Sequence, residues 1–211
     1  MATIVHDMRE ARVQKAELRK QLLRVRRGLT ADERQAASSA LAERVRDLPQ
    51  LARASTVAAY VSMGGEPGTH DLINTLRDDG TRVLLPVLLA DNDLDWAVYD
   101  GPAALARTTR GLLEPTGERL GPEAVTHAQA VLLPGLAVDH AGVRLGRGGG
   151  SYDRVLERLA RAGTRPALVV LLYANEVVDT VPREPHDHLV DAAVTPEGVH
   201  RLPESRGGAT A

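Results

Sequence analysis

Apolar and polar positions follow one another along the chain in a pattern that predicts strands and helices in turn. Apolar-rich runs typical of strands cover residues 56–62, 82–89, 94–99, 130–138, 167–173 and 189–194, and helical spacing covers residues 67–79 and 151–162. Apolar strands separated by helices are typical of a mostly parallel sheet that is covered on both faces. We therefore expect an α/β protein. Ligands of such sheets bind outside the carboxyl ends of the strands.

The first fifty residues predict two helices. The first covers about residues 7–27, carries eight basic residues and ends at Gly28. Thr30 and Glu33 form a capping box for a second helix that runs to about residue 47. We expect the two helices to pack as a hairpin.

The composition is that of a globular protein with an aliphatic core. The chain has 211 residues, of which 43% are hydrophobic, with no phenylalanine and one tryptophan. It has no cysteine, which excludes disulfides and thiolate chemistry. We expect a single domain over residues 1–202, followed by a disordered tail over residues 203–211.

Charge and hydropathy argue against macromolecular or membrane partners. The net charge is −2, and no aromatic residues alternate with the basic ones of the first helix, so an RNA-binding module is the weaker alternative. No apolar run approaches the ~20 residues of a membrane span, and the N-terminal residues lack the apolar core of a signal peptide. We expect a cytoplasmic monomer that binds neither nucleic acid nor membrane.

The segment from Gly142 to Arg154 carries the strongest functional signal. It reads GVRLGRGGGSYDR, directly after an apolar run and directly before a helical one. Glycines let backbone N–H groups approach a ligand, and a loop that leads into a helix N-terminus presents partial positive charge to phosphate. Arginines add charge-assisted contacts. The segment predicts a polyphosphate site; the alternative is a flexible connection, since its spacing matches neither the P-loop nor the dinucleotide fingerprint.

Other charged residues could serve such a site or be ordinary surface residues. Lys15 and Arg19 are four residues apart, so they share one helix face, where they could hold phosphate or face solvent. Glu66 follows the first strand and two glycines, and could accept hydrogen bonds from a heterocycle or favour a helix start. Asp153 could cap the helix after the loop or hold magnesium. Asp187 is either a turn residue or a second magnesium ligand.

Four motifs, in this order, resemble those of the 5-formyltetrahydrofolate cyclo-ligase family, also called methenyltetrahydrofolate synthetases. They are Lys15-x-x-Leu18-Arg19, Ser62-Met63-x-x-Glu66, the segment from Leu133 to Asp139 that continues through Gly142 to Arg154, and Glu184-Pro185-His186-Asp187. The resemblance spans about residues 15–195. The third motif is long and specific, and the ordered set makes coincidence improbable.

The resemblance implies a fold and a reaction. The implied fold is a three-layer α/β/α sandwich with a Rossmann-like, mostly parallel sheet. The implied reaction uses ATP and Mg²⁺ to convert (6S)-5-formyltetrahydrofolate into 5,10-methenyltetrahydrofolate, with release of ADP and phosphate. Two alternatives stay open, namely a non-catalytic relative that binds nucleotide or folate, and an ATP-dependent ligase that acts on a different substrate.

The resemblance also implies a role for each motif. Arg144 and Arg147 would stabilise charge on the transferring phosphoryl group, and Asp153 and Asp187 would hold magnesium. The implied contacts to the folate come from Val61, Glu66 and Tyr152. The implied contacts to ATP come from Lys15, Arg19, Arg144, Leu145, Gly146, Arg147, Gly148, Gly149, Gly150, Ser151 and Tyr152.

Two positions depart from the family pattern. Ser151 stands where the family usually has tyrosine, and Arg110 stands where an aromatic residue often precedes the Gly-x-x-Glu-Pro segment. Both departures concern the shape of the folate pocket more than the ATP site.

Overall fold

The computed structural model describes residues 2–185 and 187–203. His186, together with residues 204–211 of the predicted tail, lies outside the described residues. The helices are α1 (Ala2–Gly28), α2 (Ala31–Arg44), α3 (Pro49–Ala52), α4 (His70–Asp78) and α5 (Ser151–Arg161). The strands are β1 (Thr56–Ala58), β2 (Arg82–Leu88), β3 (Leu94–Val98), β4 (Leu105–Arg107), β5 (Leu113–Pro115), β6 (Ala130–Pro134), β7 (Ala137–Asp139), β8 (Arg144–Leu145), β9 (Ala167–Leu171), β10 (Val177–Val178), β11 (Ala192–Thr195) and β12 (Gly198–Arg201).

A seven-stranded sheet forms the centre of the fold, in the order β12-β11-β9-β6-β1-β2-β3. The five inner strands run parallel, and β12 and β3 pair antiparallel at the two edges. The predicted hairpin between β2 and β3 is confirmed. The mostly parallel sheet is confirmed as well.

Both faces of this sheet are covered, which explains why its strands are apolar on both sides. In β6, Leu132 packs into a cluster that includes Leu41 of α2 and Leu72 of α4. Its neighbour Leu133 points the other way, into a cluster with Val155 of α5. The predicted α/β/α sandwich is therefore confirmed.

The strand order contains a topological switch point between β1 and β6. From β1 the chain crosses through α4 to β2 on one side, and the strands that follow β3 return to the other side, beginning with β6. Connections that leave two neighbouring strands in opposite directions open a crevice at the carboxyl ends of those strands. The segments after β1 and β6 border this crevice.

The N-terminal helices follow one another as predicted, but they pack differently. Thr30 and Glu33 form the predicted capping box at the start of α2. Leu22 of α1, however, is buried in a cluster with Leu136 and Val143, whereas Leu41 of α2 is buried under the main sheet. The hairpin prediction therefore needs correction in its packing, because each helix has its own apolar surface to cover.

The predicted strand over residues 130–138 is two strands in different sheets. The chain leaves the main sheet after Pro134, and β7 joins β8 and β10 in a small three-stranded sheet beneath α1. Gly135 lies at the break, where an added Cβ would stand 2.6 Å from Cγ2 of Val170. The predicted loop over residues 100–127 also contains a hairpin, formed by β4 and β5. These strands are short, so their apolar spacing gave little periodic signal.

Among the described helices, none has the length and apolar character needed to cross a membrane.

Candidate active site

The glycine-rich loop runs from the end of β8 to the start of α5, as the sequence predicts. Gly148 and Gly150 have φ angles of 89° and 80°, a conformation that residues with a Cβ rarely adopt. Gly150 is the N-cap residue of α5 and supplies no side-chain cap. The first N–H groups of α5 are therefore left without a capping side chain, which makes the helix N-terminus available to an anion.

A cavity of about 320 Å³ lies at the switch point, between this loop and the segments that follow β1 and β6. Its lining combines the glycines and arginines of the loop with apolar side chains, among them Leu88, Leu94 and Leu112. The lining residues are Tyr60, Val61, Met63, Glu66, Pro86, Leu88, Leu94, Leu112, Leu113, Glu114, Pro134, Gly135, Arg144, Gly146, Arg147, Gly148, Gly149, Gly150, Ser151, Tyr152 and Asp153.

Arg144 is a buried cation at the base of the loop. Its Nη1 donates to the carbonyl oxygen of Pro134 at 2.9 Å, and its Nη2 donates to Oδ1 of Asp153 at 3.0 Å. Burial lowers the pKa of the guanidinium, and the Asp153 carboxylate opposes that effect. The two hydrogen bonds fix the guanidinium between the carboxyl end of β6 and the N-terminus of α5.

Glu66 is a buried carboxylate with both oxygens engaged. Its Oε2 accepts a hydrogen bond from the Met63 N–H at 2.9 Å. Its Oε1 lies 3.1 Å from Nε of Arg147, whose side chain is 45% exposed whereas that of Glu66 is 7% exposed. The Met63 N–H therefore holds the carboxylate in one orientation at the cavity wall, and its partner Arg147 is far more exposed.

Helix α1 places two cations, Lys15 and Arg19, next to segments of the site, although neither residue lines the cavity. Lys15 is buried, and its Nζ donates to Glu184 Oε2 at 2.9 Å and to Asp187 Oδ2 at 2.6 Å. Nε of Arg19 donates to the carbonyl oxygen of Gly146 at 2.8 Å. The structure thus places α1 beside the glycine-rich loop and the Glu184–Asp187 segment.

Two tyrosines of the cavity wall are neutral hydrogen-bonding groups. Burial raises the pKa of Tyr152, and the pKa of Tyr60 is raised well above its ordinary value for the same reason. The Tyr60 hydroxyl is buried and has no hydrogen-bond partner among the described residues. Both phenols keep their protons at neutral pH and can donate.

A buried ion pair that the sequence analysis missed lies behind the cavity. Arg26 of α1 pairs with Glu176 through Nε at 2.6 Å and Nη2 at 2.8 Å, and both side chains are almost fully buried. Nη2 of Arg26 also donates to the carbonyl oxygen of Gly135, which lines the cavity. In the sequence, Arg26 is one of several basic residues on α1, and nothing sets it apart from its neighbours.

The two predicted magnesium ligands are paired with different cations. Asp153 pairs with Arg144, and Asp187 pairs with Lys15. Within residues 2–185 and 187–203, no group of three or more His, Cys, Asp or Glu side chains could hold a metal ion. Two carboxylates and the oxygens of a phosphate are nevertheless a donor set that Mg²⁺ accepts, since it is commonly bound through one or two carboxylates and substrate phosphates.

Most predicted site residues line the cavity, namely Val61, Glu66, Arg144 and the residues from Gly146 to Asp153. Lys15, Arg19 and Asp187 do not line it, and the side chain of Leu145 is buried in a cluster with Leu22. Ser151 lines the cavity at the start of α5, and Arg110 is exposed in the turn between β4 and β5.

Sequence reasoning missed several lining residues, among them Tyr60, Gly135 and Glu114. Glu114 accepts a hydrogen bond from the Leu88 N–H at 3.0 Å and so joins β5 to the end of β2. The sequence signal for Glu114 was its position after two leucines and before a proline.

A model of the 5-formyltetrahydrofolate cyclo-ligase family matches residues 11–196. The chain belongs to this family. The 5-formyltetrahydrofolate cyclo-ligase of Mycolicibacterium smegmatis is 38% identical over 190 residues, which cover 87% of this chain and 94% of that protein. The cyclo-ligase of Escherichia coli K12 is 32% identical over 176 residues, which cover 82% and 96%.

Solved structures of cyclo-ligases, under their other name, share the fold. The NMR structure of Aquifex aeolicus 5,10-methenyltetrahydrofolate synthetase has a TM-score of 0.76 and 31% identity, and the match covers 93% of this chain and 95% of that one. The Mycoplasma pneumoniae 5,10-methenyltetrahydrofolate synthetase has a TM-score of 0.68 at 20% identity, covering 87% and 99%, which concerns the fold alone.

Proposed function

We propose that this protein catalyses the ATP-dependent cyclisation of (6S)-5-formyltetrahydrofolate to 5,10-methenyltetrahydrofolate, with release of ADP and phosphate. One observation carries the proposal. One cavity is lined by a loop suited to phosphates, a buried carboxylate and apolar side chains. A flat, partly apolar heterocycle and a triphosphate can therefore meet in one place, in a member of the cyclo-ligase family.

The pterin of the folate binds next to Glu66 in the cavity lining. The pterin carries amino and ring N–H groups, which match a carboxylate that only accepts hydrogen bonds. Val61 packs against the ring, and the neutral Tyr152 hydroxyl donates to it or to the formyl group. Leu88, Leu94 and Leu112 of the lining cover the uncharged middle of the folate.

The triphosphate binds to the glycine-rich loop and the N-terminus of α5. Backbone N–H groups of the loop and the first turn donate to phosphate oxygens, as at other helix N-termini. Arg144 and Arg147 neutralise charge on the transferring group, and Lys15 and Arg19 hold the phosphates from the α1 side. Leu145 contributes through its backbone, because its side chain is buried in the core.

Chemically, the protein has to make a poor electrophile reactive. The formyl oxygen on N5 attacks the γ-phosphorus, the bond to the ADP oxygen breaks, and an N5-iminium phosphate forms. N10 then attacks the formyl carbon, loses its proton, and the carbon–oxygen bond breaks to release phosphate. No protein nucleophile is required, so catalysis consists of alignment and charge stabilisation.

Asp153 and Asp187 would hold the magnesium ion that accompanies ATP. When bound, Mg²⁺ supplies positive charge to the triphosphate. For this to happen, Asp153 has to turn from Arg144, and Asp187 has to give up part of its contact with Lys15. Arg144 and Lys15 are then free of these carboxylates and can pair with the phosphates.

An absorbance time course tests the proposal. Purified protein is mixed with 5-formyltetrahydrofolate and Mg-ATP, and each component is left out in turn. The methenyl chromophore is expected only in the complete mixture, with one ADP formed per methenyl group. A flat trace from a protein that binds both ligands would favour the non-catalytic alternative, and ATP hydrolysis stimulated by another acceptor would favour a different ligase.

A further inference from the structure

The cations and carboxylates assigned to the site are paired with one another in the free protein. Lys15 pairs with Asp187 and Arg144 with Asp153. Arg147 pairs with Glu66. Each pair joins a cation that is assigned to phosphate with a carboxylate that is assigned to magnesium or to the pterin. Ligand binding therefore has to separate these pairs and give each group a new partner.

The pair of Arg147 and Glu66 differs from the other two pairs because its two members are assigned to different ligands. Lys15, Asp187, Arg144 and Asp153 all act on Mg-ATP, which arrives as one ligand. Arg147 belongs to the phosphate loop, whereas Glu66 follows β1, and both residues line the cavity. One ion pair therefore spans the nucleotide site and the folate site.

We propose, resting on the proposed function, that the exchange of partners between Arg147 and Glu66 couples the two sites, so that ATP and 5-formyltetrahydrofolate each tighten the binding of the other. In the free protein Arg147 is held at Glu66. Nucleotide draws Arg147 to the phosphates, and the pterin N–H groups then replace it at Oε1 of Glu66.

The burial of Glu66 explains why each ligand tightens the binding of the other. Its side chain is 7% exposed, and Met63 satisfies only Oε2. A buried carboxylate that loses its ion partner is left incompletely solvated, which is costly. Nucleotide alone therefore leaves Oε1 unpaired, and folate alone has to compete with Arg147 for the same oxygen. In the ternary complex both groups have partners.

Arg147 is free to make this move because its other contacts are few. Its side chain is 45% exposed, and Gly146 and Gly148 flank it. Arg144, by contrast, is buried and also bonded to the carbonyl of Pro134. The loop thus contains one fixed and one movable arginine.

Binding calorimetry on the full chain tests the coupling. The probes are 5-formyltetrahydrofolate and the magnesium complex of a β,γ-imido ATP analogue, each titrated with and without saturating amounts of the other. In the unaltered protein each ligand is expected to lower the dissociation constant of the other by about fivefold or more, by the same factor in both directions.

Two variants separate the members of the pair. Glu66→Gln keeps the acceptor for Met63 but releases Arg147, so it should bind the nucleotide analogue alone more tightly than the unaltered protein. Arg147→Ala should bind the analogue alone more weakly and the folate alone more tightly. Both should lose the coupling. Arg44→Ala removes an arginine of similar exposure, 47%, on α2 and outside the cavity lining, and should keep the coupling.

The outcomes decide between explanations. Equal affinities with and without the second ligand, in a protein that binds both and turns over, would overturn the coupling and leave the proposed function intact. Coupling that persists in Glu66→Gln and in Arg147→Ala would also overturn it. A protein that binds neither ligand would contradict the proposed function as well. The urea midpoint of each variant shows that the comparison is made on folded protein.

Discussion

Lys15 and Asp187 lie 172 positions apart in the sequence, and their side chains form an ion pair of 2.6 Å. The pair joins α1 to the segment before β11. Arg19 of the same helix bonds to Gly146 of the glycine-rich loop. Helix α1, which precedes the whole sheet in the sequence, is thereby held next to both segments. Lys15 is buried, and the proposed function assigns it to the phosphates of ATP.

Replacing Lys15 by methionine should weaken nucleotide binding selectively. The stem stays buried but the charge is lost, so we expect the KM for ATP to rise about tenfold, or about 1.4 kcal/mol, with a smaller change in the KM for folate. Lys20→Met is the control, since Lys20 is on the same helix but 74% exposed. Equal effects of the two substitutions, or equal changes in both KM values, would contradict the assignment.

Replacing Arg147 by alanine should reduce turnover far more than it reduces stability. Arg147 is assigned to charge on the transferring phosphoryl group, and removing such a group typically costs about 10²–10³ in kcat. The measurement is kcat at saturating ATP and folate, with Arg44→Ala as the control of similar exposure. A loss of tenfold or less would refute a central role for Arg147.

Replacing Gly135 by alanine should destabilise the protein. The added Cβ would lie 2.6 Å from Cγ2 of Val170 and 3.3 Å from Cδ2 of Leu172, and overpacking of this kind costs about 1–3 kcal/mol. Urea denaturation gives the free energy of unfolding. Gly149→Ala is the control, because nothing lies within 4 Å of its Cβ and its φ is not positive. Similar unfolding free energies for the two variants would be the contrary result.

Acid should remove the stabilisation that Arg158 provides. Arg158 donates to Asp93 Oδ2 at 2.7 Å and thereby holds the pKa of that carboxyl below its ordinary value. The unfolded protein therefore binds more protons in acid, so the contribution is present above the ordinary aspartate pKa, about 3.9, and is lost as the pH falls through the folded value.

The variant Arg158→Met tests this pH dependence. We expect it to be less stable than the unaltered protein by about 1 kcal/mol near neutral pH, with the difference shrinking below about pH 4. Urea denaturation of both proteins at a series of pH values gives the comparison. A difference that stays constant into acid would mean that Arg158 stabilises α5 by packing alone.

The sequence predicted the fold well where apolar runs were long. The parallel strands of the main sheet are apolar because α2 and α4 cover one face and α5 the other. The apolar run over residues 130–138 led to a wrong prediction of one strand, because burial makes both of its strands apolar. Strands β6 and β7 are both buried, in different sheets, and periodicity cannot show that a chain changes sheet between two buried segments.

The site was predicted where its residues are adjacent in the chain, and missed where they meet only in space. The glycine-rich loop and α5 follow one another, so their geometry was predictable from spacing. Arg26 meets Glu176 across 150 positions, and Glu114 reaches Leu88 through a short hairpin. Such contacts depend on how α1 and the β4–β5 hairpin pack on the sheet, which local patterns do not encode.

The fate of the formyl oxygen shows whether phosphoryl transfer activates the substrate. The proposed mechanism requires this oxygen to attack the γ-phosphorus and to leave with the phosphate. Substrate labelled with ¹⁸O in the formyl group is therefore converted with Mg-ATP in unlabelled water, and the released phosphate is analysed by mass spectrometry. We predict one ¹⁸O atom in the phosphate for each methenyl group formed. Unlabelled phosphate, with the label lost to water, would contradict activation of the formyl oxygen by phosphoryl transfer.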